Sequence, residues 1–318
     1  MNKETLLFMV GLPGPELTQR EEEAIDELGL RHFIFFSRNF THPAKGKALL
    51  MKLKKKGGLL AVDQEGGPVV RLRPPLFTEL LAPLALAQTE RPEETVRTQA
   101  EICASQLQKL GFNLNLAPVL DLGDENSPPF LRGRTFGRHP ETVARLGKLY
   151  IKTFLQKGLL CCAKHFPGLG EARVDPHEDL PRLEKLSSEA LLPFEVGVKA
   201  GVPCVMTTHL LVQELDKEMA TFSAKITGLL REKLSFNGVI LTDDLFMGAI
   251  KRRMSLPEAA LKAFIAGHDL LLLCQDLWES LETIKTLLPE LRSRSLQNRV
   301  EESLKRQERL LKYCLPAG

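Results

Sequence analysis

No apolar run in this chain reaches the roughly 20 residues that a membrane-spanning helix needs. The stretch Leu6-Leu7-Phe8-Met9-Val10 is too short for a signal-peptide core, and Leu270 to Leu273 is shorter still. A cytoplasmic protein with no anchor and no membrane partner is the expectation. Cys-x-x-Cys pairs are missing too. The six cysteines, Cys103, Cys161, Cys162, Cys204, Cys274 and Cys314, sit mostly inside apolar runs. They read as small buried hydrophobes in a reducing compartment, not as zinc ligands or disulfides. A strong charge of one sign is also absent. The net charge is +3, and the one basic run, Lys52-Leu53-Lys54-Lys55-Lys56, fits a solvated helix face. No nucleic-acid partner is expected. The chain has no Gly-x-Ser-x-Gly elbow and no His-x-His or His-Glu-x-x-His metal spacing. Gly11-Leu12-Pro13-Gly14 lacks the form of a dinucleotide-binding turn. These absences remove seryl hydrolysis and zinc chemistry, and leave acid/base and carboxylate work.

What the chain does have is alternation. It holds 318 residues, 43% hydrophobic and 26% charged, enough for one large core. Short apolar runs span Leu6 to Val10, Phe33 to Phe36, Leu59 to Val62, Phe112 to Ala117, Leu159 to Ala163, Cys204 to Met206, Val239 to Leu241 and Leu270 to Cys274. Amphipathic stretches lie between them: Glu21 to Leu28, Glu94 to Leu110, Pro140 to Lys157, Glu189 to Lys199, Ile226 to Leu234 and Leu256 to Ala266. Near-continuous apolar strands alternating with helices indicate a parallel sheet covered on both faces. Eight such runs predict an α/β fold, a single (β/α)8 TIM-type barrel over residues 1–318, with packing helices from Asp276 to Gly318. A doubly wound open sheet is the competing architecture.

Barrels of this type carry their reactive groups at the C-terminal strand ends. The third run ends in Asp63-Gln64-Glu65-Gly66-Gly67, with Arg71 close behind. Asp63 suits a sugar hydroxyl as a charged acceptor, and equally suits a salt bridge to Arg71. The fourth run leads to Asp121 and a loop with Arg132, Arg134 and Arg138, one of which could clamp a polar substrate. Asn115 and Asp121 fit structural ties as well as they fit site residues. The fifth run ends in Lys164-His165-Phe166-Pro167-Gly168, and Asp175-Pro176-His177 follows. This loop, rich in Gly and Pro with Lys, His and Asp, is where chemistry is commonly placed. His209 reads more readily as a satisfied structural histidine. The seventh run ends in Asp243-Asp244, where one acid should face the barrel mouth while its neighbour ties the loop. The set fits glycosyl transfer to water.

These residues resemble family 3 glycoside hydrolases, specifically the single-domain β-N-acetylhexosaminidases. The likeness covers nearly the whole chain. It rests on Asp63 to Gly67 with Arg71, Arg134-Thr135-Phe136-Gly137, Lys164 to Gly168 with Asp175-x-His177, Ala220-Thr221-Phe222-Ser223 and Gly238 to Leu245. It implies a retaining exo-hydrolase that removes terminal β-linked N-acetylglucosamine from peptidoglycan-derived muropeptides. The chemistry needs no cofactor or metal, and a monomer is the expectation. By the resemblance Asp243 is the nucleophile, His177 the general acid/base, and Asp175 the group that orients it. Asp63, Arg71, Arg134, Lys164 and His165 would grip the sugar. A non-catalytic sugar-binding barrel, another sugar specificity, or a phosphorylase remain alternatives. The chain departs from the family pattern at Leu169, usually histidine, at Pro176, usually serine, and at Pro68, usually basic. Glycines ahead of His177 predict a mobile loop that swings it in.

Overall fold

The computed structural model describes residues 2–313, so Cys314 lies outside the described residues. The chain runs β1 (Phe8–Gly11), α1 (Gln19–Leu28), β2 (His32–Phe35), α2 (Pro43–Lys54), β3 (Leu60–Val62), α3 (Pro83–Ala87), α4 (Pro92–Leu110), β4 (Leu114–Asn115) and α5 (Pro140–Gln156). It continues with β5 (Leu160–Phe166), β6 (Arg182–Leu183), α6 (Ser188–Lys199), β7 (Cys204–Thr207), β8 (Leu211–Val212), α7 (Ala224–Gly228) and β9 (Val239–Asp244). It closes with α8 (Gly248–Lys251), α9 (Leu256–Ile265), β10 (Leu270–Leu273), α10 (Leu277–Leu291) and α11 (Gln297–Lys312). Eight strands close into a parallel barrel in the order β1-β10-β9-β7-β5-β4-β3-β2. Each of the eight apolar runs supplies one of them. β6 and β8 form a separate parallel pair of two residues each.

The strands form because both faces are buried. Met9, Ile34, Ala61, Leu114, Cys162, Met206, Leu241 and Leu272 fill the barrel interior. Their neighbours Val10, Phe33, Val62, Cys161, Val205 and Ile240 face the helical layer. This period of two fixes which residue at each strand tip can reach the mouth. α1 starts and stops where local chemistry predicts. Thr18 and Glu21 make a capping box on α1, and Gly29 ends it at φ 72°. The stretch from Ile226 to Leu234 is not one α-helix. α7 ends at Gly228, and a π-helical segment, Leu229–Lys233, follows. The basic run lies at the end of α2 with Leu53 buried, while Lys52 pairs with Glu22 and Lys56 with Asp26. Cys103, Cys161, Cys162, Cys204 and Cys274 are all buried. Among the described residues no helix is long and apolar enough to cross a membrane.

Candidate active site

Strand parity aims the first groups. Ala61 points inward, so Asp63 at the end of β3 does too. The same count carries Cys162 to Lys164 on β5 and Leu241 to Asp243 on β9. His165 breaks the count, since it follows Lys164 yet lines the same pocket. The register of β5 against β7 shifts between Ala163 and Phe166, which allows both side chains to face the mouth.

The floor of the pocket is an ionic network. Lys164 Nζ lies 2.8 Å from Asp63 Oδ1 and 2.7 Å from Glu65 Oε1, at 3% side-chain exposure. Arg134 grips Glu65 in bidentate fashion, with Nε 2.9 Å from Oε2 and Nη2 2.8 Å from Oε1. Arg134 Nη1 also donates to the Phe130 carbonyl at 2.7 Å. Arg71 Nη2 donates to Asp63 Oδ2 at 3.3 Å. Burial alone would neutralise these groups, but mutual attraction outweighs it. Lys164 and Arg134 are therefore held above their ordinary values, Asp63 well below, and Glu65 at about 2.

Asp121 orients the histidine of this floor. Its Oδ2 accepts from His165 Nδ1 at 2.7 Å and from the His165 backbone N–H at 3.2 Å. Its Oδ1 accepts from the Leu169 backbone N–H at 2.7 Å. A carboxylate only accepts, so Nδ1 carries the proton. His165 Nε2 is left as the acceptor facing Arg134 Nη2 at 3.3 Å.

Both acids at the end of β9 line the pocket, and they differ in what else they bind. Asp243 faces the pocket. Burial would raise its carboxyl, but the nearby imidazoles of His209 and His165 and the Asp244 N–H hold it below the ordinary value. Asp244 accepts from the backbone N–H of Phe246, just after β9, and from the Cys274 N–H and Gln275 Nε2, just after β10. Burial outweighs those bonds and raises its carboxyl. His209 is fully buried, with Nδ1 2.6 Å from Thr221 Oγ1 and Nε2 2.9 Å from the Asp244 carbonyl. Burial lowers its basicity against the opposing pull of Asp243 and the Asp244 carbonyl, and its two ring bonds tie loops together.

The Asp175–His177 pair overhangs this floor. Asp175 Oδ1 accepts from His177 Nδ1 at 2.8 Å and from its backbone N–H at 2.9 Å. That bond fixes the ring tautomer and leaves Nε2 to exchange a proton with a ligand. The His177 side chain is 68% exposed, so solvent and an entering ligand both reach the ring. Arrayed this way, the pocket holds a charged carboxylate, an oriented imidazole, and a dense set of charged hydrogen-bonding groups. That is equipment for gripping a polyhydroxylated ring and cleaving a bond at its edge.

The sequence profile described as "Glycosyl hydrolase family 3 N terminal domain" matches residues 3–310. The chain belongs to glycosyl hydrolase family 3. As a member of it, this family 3 enzyme is a glycoside hydrolase. A protein named Beta-hexosaminidase from Alkalilimnicola ehrlichii is 36% identical over 280 residues, covering 84% of this chain and 80% of that one. Another of that name, from Pseudomonas aeruginosa, is 34% identical over 279 residues, covering 85% and 82%. The solved structure of a family 3 beta-N-acetylglucosaminidase from Paenibacillus sp. superposes with a TM-score of 0.90 at 31% identity. It covers 98% of this chain, which spans 62% of that longer protein. The structure of a Beta-N-acetylhexosaminidase from Beutenbergia cavernae gives a TM-score of 0.90 at 26% identity, covering 98% of both chains.

All eight residues singled out in the sequence of this family 3 enzyme line one pocket. The Asp63–Arg71 alternatives coexist, since the pair is bridged and also lines the pocket. Of the three arginines, Arg134 enters the pocket and the other two stay exposed. Asn115 is structural, bonded to the Gln64 backbone and to Tyr150. Glu65 and Asp121 were not assigned their parts from sequence. Glu65 carries a local signal, standing two residues after Asp63. Asp121, open in the sequence between a tie and a site residue, proves to be a tie, although the histidine that it orients lies 44 residues away.

Proposed function

We propose that this enzyme is a retaining exo-β-N-acetylglucosaminidase. The observation that carries the reading is that Asp243 and the Asp175–His177 pair face one pocket over the Lys164–Asp63–Glu65–Arg134 network. The names of the relatives support the sugar, and the motif resemblance supports the roles. Asp243, held ionised, attacks the anomeric carbon and forms a covalent glycosyl-enzyme. His177 Nε2 protonates the departing glycosidic oxygen. The neutral ring then takes a proton from the water that hydrolyses the intermediate. Asp175 holds the tautomer and stabilises the imidazolium. Asp63, Arg71, Arg134, Lys164 and His165 bind the sugar at the blind end of the pocket. The barrel acts as one domain and supplies every group, since its acid comes from its own loop. The proposed substrates are peptidoglycan-derived muropeptides in the cytoplasm, a place in cell-wall recycling that rests on the resemblance.

The test is release of 4-nitrophenol from its N-acetyl-β-glucosaminide. Wild type should release it, and Asp243→Ala should lose at least about 1000-fold in kcat. A folded wild type without activity on this substrate or on a muropeptide disaccharide sinks the reading. Running the assay with phosphate separates hydrolysis, which gives the free sugar, from transfer to phosphate.

A further inference from the structure

The part of the loop that carries His177 rests on the segment immediately after the Asp243 strand. The Gly248 N–H donates to the His177 carbonyl at 3.1 Å, and the Ala249 N–H donates to the Pro176 carbonyl at 3.2 Å. Gly248 allows this approach because it has no side chain. A Cβ there would stand 2.5 Å from the carbonyl oxygens of both His177 and Glu178. Both are backbone atoms, so the loop itself would have to move. Arg253 adds a side-chain clamp. Its Nη2 donates to Asp179 Oδ1 at 2.7 Å, and its Nη1 donates to the Ala249 carbonyl at 3.0 Å. Asp179 is in turn bonded to the Leu180 N–H, and Leu180 is buried.

The seat is rigidly tied to the proposed nucleophile. The Met247 N–H donates to the Asp244 carbonyl, and the Leu245 N–H to the Leu272 carbonyl on β10. Ala249 and Ile250 are fully buried beneath the loop. Only a short stretch of chain, from Asp243 to Gly248, therefore connects the proposed nucleophile to the residue that touches the backbone of His177.

We infer that Gly248 and Arg253 are positioning residues, a seat that sets the His177 imidazole relative to Asp243. The inference rests on the proposed hydrolase reading and extends it. A displaced seat leaves Asp243 and the sugar-binding floor intact but takes the proton donor away from the glycosidic oxygen. The loss must then scale with how much acid help the leaving group needs. An alkyl or sugar aglycone needs full protonation, while 4-nitrophenolate leaves with little.

The experiment compares Gly248→Ala and Arg253→Met with wild type and His177→Ala on two substrates, the 4-nitrophenyl and the methyl N-acetyl-β-glucosaminides. Gly248→Ala should lose about 100-fold in kcat/KM on the methyl glycoside and less than about tenfold in the cleavage step on the aryl one. Arg253→Met should lose in the same ratio but less in magnitude. Equal losses on both substrates, or none, overturn the inference. Amide hydrogen exchange at Gly248 and Ala249 gives a reading independent of turnover. Both amides should exchange at least about tenfold faster in Arg253→Met than in wild type. Unchanged exchange removes the seat even if the enzyme is active. A wild type inert on both glycosides, with exchange accelerated as expected, removes the hydrolase reading and leaves the seat in place.

Discussion

Lys164 keeps its charge at 3% exposure only because two carboxylates meet it within 2.8 Å. Removing one member of such a buried set strands the others. Lys164→Met should therefore lower unfolding free energy by about 3–5 kcal/mol and abolish sugar binding. Urea denaturation and titration with N-acetylglucosamine measure the two effects. Asp121 acts differently, through orientation. Asp121→Ala frees the His165 ring and orphans the Leu169 N–H. KM should rise about tenfold or more while the aryl and alkyl substrates suffer alike, because the loss is in ground-state grip. Glu65 shows the limit of reading residues singly. Its partners Arg134 and Lys164 lie 69 and 99 positions further along the chain, and only the closed barrel brings them together.

At the level of elements, the alternation of apolar runs with amphipathic stretches carried the architecture. A parallel strand buried on both faces leaves an unbroken apolar signature, and all eight runs became barrel strands. The β6–β8 pair left no such trace, because Arg182 is exposed and each strand is only two residues long. That pair matters for the loop carrying His177. Leu169 and Ala172 at its start pack with Leu210 and Val212 in a small apolar cluster, joined by Leu183. Leu169 thus stands as an apolar anchor at the start of the loop. Leu169→His should bury an unpaired ring at a cost of about 1–3 kcal/mol in this satellite cluster. Limited proteolysis should then cut between residues 168 and 186 faster than in wild type, with the barrel left intact.

For the whole molecule, acid is the expected weakness. His32 and His268 are fully buried, and burial pushes each ring down to about 4. Both are neutral in the folded protein, while the unfolded chain protonates them below about 6.5. The unfolded state then binds more protons, so stability falls as pH drops from 6.5 toward 4. At about 1.4 kcal/mol per pH unit, each ring accounts for roughly 3 kcal/mol across that window. Glu65 adds the same sign lower down, from 4.5 toward about 2. Urea unfolding at pH 7 and pH 5 should show the drop, and a His32→Gln, His268→Gln double variant should flatten it. The far end of the barrel has its own fastening. Asp269, wholly buried, meets Arg231, Arg299 and Arg306 and ties α11 under the sheet. Asp269→Ala should cost about 3–5 kcal/mol without changing the ratio of aryl to alkyl hydrolysis.

The sequence by itself determined the eight barrel strands, several of the helices and the strand-end positions of Asp63, Lys164 and Asp243, because burial writes a period of two and strand ends follow from it. Tertiary structure decided the partnerships. Charge pairs such as Glu65 with Arg134 and contacts such as Gly248 with the His177 carbonyl join residues distant in the chain, and no local periodicity encodes a distance across a closed barrel.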